Sequence, residues 1–151
     1  MKLNICCSDA HAAGYWNVDR VPPADQIVDL DRGWLWQDSS IEEIRAWDAF
    51  EHLRYPIHSM NEAWRVLVPG GELDLIVPTT DGRGAWQDPG HVSYWNPNSL
   101  WYFCEDHPCW QRFHAAYGIA ARFQLVESTH AIDGPASNMI WKLHAILEAI
   151  K

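Results

Sequence analysis

The chain has 151 residues, 48% of them hydrophobic and 21% charged, which fits a single soluble domain over residues 1–151 burying roughly two-thirds of its unfolded surface. A formal net charge of −9 without any basic cluster excludes nucleic-acid binding by phosphate neutralisation and favours a cationic or neutral small ligand. No stretch approaches ~18 consecutive apolar residues and Met1 leads straight into a strand, so neither membrane span nor signal peptide is read and a cytoplasmic location is expected.

Leu3-Asn4-Ile5-Cys6-Cys7-Ser8 reads as a short buried strand, Asp9 to Gly14 as a small-residue turn, and Tyr15-Trp16-Asn17-Val18-Asp19 as a second strand ending in an acid. The gap is too short for a full crossover, so the first connecting helix is expected to be one turn or missing. After Val21-Pro22-Pro23 breaks the chain, Gln26-Ile27-Val28-Asp29-Leu30 reads as a third strand, and Gly33 to Ser40 as a loop.

The organising stretch runs from Arg45 to Pro78. Ile44, Ala46 and Asp48 alternate as a strand, while Ile57, Met60, Trp64 and Leu67 share one helical face. Pro69-Gly70-Gly71 is expected to end that helix, and Leu73, Leu75 and Val77 alternate as the next strand. Strand, helix and strand of this length form a βαβ unit, whose chemistry gathers at the carboxyl ends of parallel strands.

Residues 79–98 form a long loop rich in Gly, Pro, Asp and aromatic residues, the pattern of a functional lid. Pro97-Asn98-Ser99 reads as a helix start with a short helix to Phe103, and Gln111 to Tyr117 as another turn or two. Ala121 to Ser128 and Asn138 to Leu147 then alternate as an antiparallel pair around a turn at Asp133-Gly134-Pro135. Of the ten tryptophans, Trp16, Trp34, Trp36, Trp86 and Trp95 fall in expected loops, where a ring is either a ligand lid or a local core plug.

In this order the signals resemble the small class I S-adenosylmethionine-dependent methyltransferases, in a short type-11-like subgroup, over nearly the whole chain. Residues 3–8 resemble the family's first strand and cofactor loop, and residues 15–19 its second strand with the terminal acid. Phe50-Glu51-His52-Leu53 followed by Glu62 to Leu73 with its Pro-Gly-Gly turn is the most specific match. The resemblance implies an α/β fold: a Rossmann-like, doubly wound, mostly parallel sheet of seven strands, the last antiparallel, with S-adenosylmethionine as cofactor. The chain departs from the family where Cys6 and Ser8 replace glycines of the first loop; glycine there lets the backbone approach a ligand without a Cβ in the way.

Cofactor contacts are expected from Cys6, Ser8, Asp19, Asp29, Leu30 and Asp48. Asp19, at a strand's carboxyl end, is placed to accept from both ribose hydroxyls. By resemblance Asp29 accepts from the adenine amino group and Leu30 packs on the ring, while Asp48 receives the methionine ammonium. Methyl transfer to an oxygen or nitrogen needs alignment, exclusion of water and a base, for which His91 and His52 are the candidates. Trp86, Asp88, Tyr94 and Trp95 are expected to wall the substrate. Cys104, His107, Cys109 and His114 match no usual zinc spacing, so no metal is expected. The expected function is methylation of a small molecule; the competing readings are a methyltransferase-like binding or scaffold domain with weak turnover, and a non-methyl use of the sulfonium. Exposed tryptophans would also suit a homo-oligomer.

Overall fold

The structure is a computed structural model describing residues 1–151. Its strands are β1 (Lys2–Ile5), β2 (Trp16–Asp19), β3 (Gln26–Ile27), β4 (Ile41–Trp47), β5 (Leu67–Pro78), β6 (Phe123–Ile132) and β7 (Trp141–Ala149). They form one sheet in the order β3-β2-β1-β4-β5-β7-β6. β3, β2, β1, β4 and β5 pair in parallel, and β7 runs antiparallel to both neighbours. The seven strands and the antiparallel one are as expected. No helix is long and apolar enough to cross a membrane.

Two helices exceed two turns: α1 (Pro56–Val66), between β4 and β5, and α3 (Pro108–Tyr117), between β5 and β6. Both connections advance across the sheet in the same direction, so right-handed crossovers put both helices on one face. That face holds the core. Leu3, Ile5, Ile44, Ala46, Leu73, Leu75, Val77, Leu143, Ala145 and Leu147 alternate onto it and are buried with Met60, Ala63 and Val66 of α1. The opposite face carries polar side chains that pair with one another: Lys2 and Tyr15 on Glu43, His144 on Asp74 at 2.8 Å, and Arg45 lying 3.4 Å over the Trp47 ring.

The first three connections contain no helix. Between β1 and β2 the helix's role passes to two buried asparagines. Asn4 Nδ2 donates to the Ala10 carbonyl and to Asn17 Oδ1, both at 2.9 Å, and Asn17 Oδ1 also accepts from the Ala12 N–H at 2.8 Å. These bonds satisfy backbone groups that a helix would satisfy internally. Between β3 and β4 the loop is plugged into the core by Trp34, packed edge-on against Trp36. Arg65 of α1 clamps it by donating to the Trp34 and Trp36 carbonyls, to Asp38 and to Glu62.

Several boundaries differ from expectation. β1 stops at Ile5 rather than Ser8, because Cys6 and Ser8 adopt left-handed backbone with φ of 51° and 46°. β3 has two residues rather than five. α1 ends at Val66 rather than at Pro69, because Leu67 already pairs with Ile41 in the sheet. Pro69-Gly70-Gly71 instead forms a bulge within β5, where pairing jumps from Ile41–Leu67 to Glu43–Glu72. Gly70 takes a φ of 75°, and a Cβ on Gly71 would lie 3.0 Å from the Glu42 and Val68 carbonyl oxygens. The expected loop 79–98 contains a helical turn, α2 (Gly84–Gln87), and β6 continues to Ile132.

Candidate functional site

The carboxyl ends of β1, β2 and β4 meet at one rim, and a cavity of about 330 Å³ opens there. All six residues read as cofactor contacts line it: Cys6, Ser8, Asp19, Asp29, Leu30 and Asp48. His52 and Leu53 close one side, and Arg20, Val21, Val28 and Asp31 complete the wall. Asp19 shapes the rim. Its Oδ2 accepts from the Ser8 N–H at 2.9 Å and its Oδ1 from the Val21 N–H at 3.2 Å, drawing the loops after β1 and β2 together. Asp29 pairs with Arg32 at 3.1 Å while still facing the cavity. Burial first, and then the neighbouring Asp19 charge, push the Cys6 thiol up to about 12, so it is a neutral wall and no nucleophile.

A second cavity of about 260 Å³ lies beyond Asp48 and His52, which line both. Glu51, Asp88, His91 and Lys142 also line it. Its geometry begins at Asp48, whose left-handed φ of 49° turns the chain out of β4 into the 3-10 turn Phe50–His52. The lid segment is stitched to that turn. The Val92 and Ser93 N–H groups donate to the Glu51 carbonyl, and Ser93 Oγ donates to the Phe50 carbonyl at 2.8 Å. Asp88 Oδ1 accepts from the Gly90 N–H at 2.7 Å, holding a tight turn that carries His91 over the rim. The rings of His52 and His91 stand edge to face, 4.9 Å apart.

Both imidazoles have a defined tautomer. His52 Nδ1 lies 3.1 Å from the Gly90 carbonyl and His91 Nδ1 lies 3.0 Å from the Ala85 carbonyl. A carbonyl can only accept, so each Nδ1 is assigned a proton, which in the neutral ring leaves the lone pair on Nε2. Between them Glu51 is 2% exposed, and its Oε2 has no hydrogen-bond partner. Burial first, reinforced by the Asp48 charge, raises the Glu51 carboxyl to about 8. Lys142 donates to Asp48 at 2.7 Å and sits 3.3 Å from Asp133. Burial disfavours its ammonium, but the two carboxylates outweigh that and hold its pKa above the ordinary lysine value.

The four expected substrate-wall residues do not stay together. Only Asp88 lines the His91 cavity. Trp86 and Tyr94 stack on each other at the surface with centroids 4.6 Å apart. Trp95 is 2% exposed, packs between Phe50 and Phe103, and donates to Ser93 Oγ. It is a core plug that, with Tyr94, borders a separate apolar cavity of about 280 Å³ on the helical face. The ligand atoms of Cys104, His107, Cys109 and His114 do not converge.

Sequence reasoning missed Glu51 and Lys142. Glu51 stood beside His52 in the run Phe50-Glu51-His52-Leu53, and its buried apolar neighbours were the available signal. Lys142 lies 94 residues from Asp48, and no local pattern joins them.

No family model matches the chain, and no curated protein does. Solved structures do. An S-adenosylmethionine-dependent methyltransferase from Methanosarcina mazei is 15% identical with a TM-score of 0.66, covering 99% of this chain and 92% of that one. One from Archaeoglobus fulgidus is 12% identical with a TM-score of 0.62, covering 97% and 85%. The [4+2]-cyclase SpnF is 11% identical with a TM-score of 0.65, covering 99% and 75%. At these identities the likeness speaks to architecture: the chain has the fold of the S-adenosylmethionine-dependent methyltransferases.

Proposed function

We propose that this chain is an S-adenosylmethionine-dependent methyltransferase acting on an oxygen or nitrogen atom of a small molecule, built as one domain. The observation that carries the reading is the convergence of Cys6, Ser8, Asp19, Asp29, Leu30 and Asp48 on one cavity, which adjoins the cavity beneath His91 through Asp48 and His52. The cofactor's fit rests on donor chemistry. The cavity volume lies at the lower end of small-molecule sites. Asp19 and Asp29 are acceptors suited to ribose hydroxyls and a purine amino group, Leu30 is an apolar floor, and the acidic wall suits a sulfonium.

S-adenosylmethionine, when bound, supplies an electrophilic methyl group on a cationic sulfur. The chain's residues do the rest. Asp19 holds the ribose through whatever acceptor capacity its two backbone bonds leave. Asp48 carries charge toward the amino-acid end, and Lys142, already paired with it, competes there with a ligand ammonium or receives a ligand carboxylate. His52 and His91, each with Nδ1–H fixed on a carbonyl, present Nε2 to take a proton from an acceptor hydroxyl or amine.

The test is transfer from methyl-deuterated S-adenosylmethionine into a pool of small hydroxy and amino compounds, read by mass spectrometry. The expected result is a labelled O- or N-methyl product, reduced by about 10²–10⁴-fold in His91→Ala. Transfer to carbon, or no labelled product, contradicts the reading. Left-handed Cys6 and Ser8 favour one second reading, a binding domain with weak turnover: it predicts cofactor binding without product.

A further inference from the structure

We propose that Glu51, His52 and His91 form a binding site for one divalent transition-metal ion of the zinc type, placed between the cofactor crevice and the lid. One ligand atom from each of the three residues lies within 4.8 Å of the other two. Metal–ligand distances of about 2.0–2.2 Å set ligand atoms roughly 3.3–3.6 Å apart in a tetrahedron, so the three side chains would close by about an ångström around an ion.

Three further observations point to a cation. Both imidazoles donate Nδ1–H to backbone carbonyls, the arrangement that fixes metal-binding histidines and turns Nε2 outward as a ligand. Gly90 lets the turn approach closely, since a Cβ there would lie 3.1 Å from Asp88 Oδ1, while its 3.5 Å from His52 Nδ1 would be ordinary contact. Second, the buried Glu51 Oε2 has no hydrogen-bond partner, and an unsatisfied buried carboxyl oxygen is costly unless a proton or a metal cation meets it. Third, Asp88 Oδ2 stands 3.8 Å from His91 Nε2, an acceptor facing an acceptor unless a cation lies between or on the ring.

Two imidazole nitrogens and a carboxylate oxygen select borderline transition metals over magnesium or calcium, which prefer all-oxygen sets. The protein supplies three ligands, so open positions face the 260 Å³ cavity. There the ion would hold an acceptor oxygen and lower its pKa, replacing the imidazole base of the metal-free site, whose Nε2 lone pairs it occupies. Binding itself does not depend on the methyl-transfer reading, because occupancy is measured without cofactor.

The experiment is titration of the chelator-stripped, full-length protein with Zn²⁺ by calorimetry, and with Co²⁺ by absorption spectroscopy. The expected result is one ion per chain, with a visible Co²⁺ band and no thiolate charge-transfer band. Affinity should fall at least ~10-fold in Glu51→Gln, His52→Gln and His91→Gln, each checked for folding by circular dichroism. His52 is exposed, so His52→Gln carries the test even if the Glu51 variant fails to fold. Absence of binding overturns the proposal. So does binding that the His52 and His91 variants leave unchanged, or that a Cys104→Ser, Cys109→Ser double variant abolishes.

Discussion

The two halves of the sheet are built differently. β1, β2 and β3 have four, four and two residues and are joined by loops without helices. β4, β5, β6 and β7 have seven, twelve, ten and nine residues and carry both long helices. The first half nevertheless supplies most of the lining of the 330 Å³ crevice, while the second supplies Asp48, Glu51, His52, His91 and Lys142. Apolar burial anchors both halves, through Leu3, Ile5 and Val18 in the first and Ile44, Leu73 and Leu147 in the second, but the loops of the first half are held by hydrogen bonds through Asn4, Asn17 and Asp19 rather than by helices. A domain can thus keep a ligand-shaped rim on a reduced scaffold if each loop's backbone groups are individually satisfied.

The sharpest way to break this contrast is to compare an apolar deletion under the long strands with one on the short edge strand. Phe50→Ala removes a fully buried ring packed on Trp95 and should cost about 3–5 kcal/mol in urea unfolding. Ile27→Ala, on exposed β3, should cost no more than about 0.5 kcal/mol. Equal losses would contradict the contrast. Next in size, Asp19→Ala removes two backbone acceptor bonds and the proposed ribose contact. It should weaken S-adenosylhomocysteine binding by about 1.5–3 kcal/mol, roughly ten-fold to a hundred-fold, read by calorimetry.

Besides the β1–β4 ladder, the halves are joined by the Arg65 clamp on the Trp34–Asp38 loop. Hydrogen bonding to Arg65 holds the Glu62 carboxyl below its ordinary 4.5. A depressed folded-state pKa contributes stability that is present above the unfolded value and lost as pH falls through the folded one. Glu62→Gln should therefore cost about 1 kcal/mol near neutrality, and its difference from the unaltered chain should shrink as pH drops below 4.5. A pH-independent difference would show that packing rather than charge holds the joint. The smallest effect belongs to Ser8, which is exposed and left-handed at φ 46°. Ser8→Gly should stabilise the chain by about 0.5–1 kcal/mol in thermal unfolding, because glycine takes this backbone without Cβ strain.

How much was legible in the sequence follows the same division. Apolar alternation in Leu73, Leu75 and Val77, and helical spacing in Ile57, Met60 and Trp64, are local signals of strong period, and they placed β5 and α1 within a few residues. The strand-end acids Asp19, Asp29 and Asp48 were legible because each follows a strand. The ends of β1 and β3 were not, since nothing in Cys6 or Ser8 announces a left-handed backbone that most sequences reserve for glycine. Trp95 was misplaced because an aromatic ring in a loop carries no sign of which way it faces. Glu51 and Lys142 owe their chemistry to burial and to a partner 94 residues away, and neither is written in local spacing.

The central claim is that the crevice between Cys6, Asp19, Asp29 and Asp48 holds the cofactor. Calorimetric titration of the full chain with S-adenosylhomocysteine tests it most directly. The account requires saturable binding at one site per chain, accompanied by a rise in melting temperature. The absence of both heat and thermal stabilisation at millimolar ligand would contradict it.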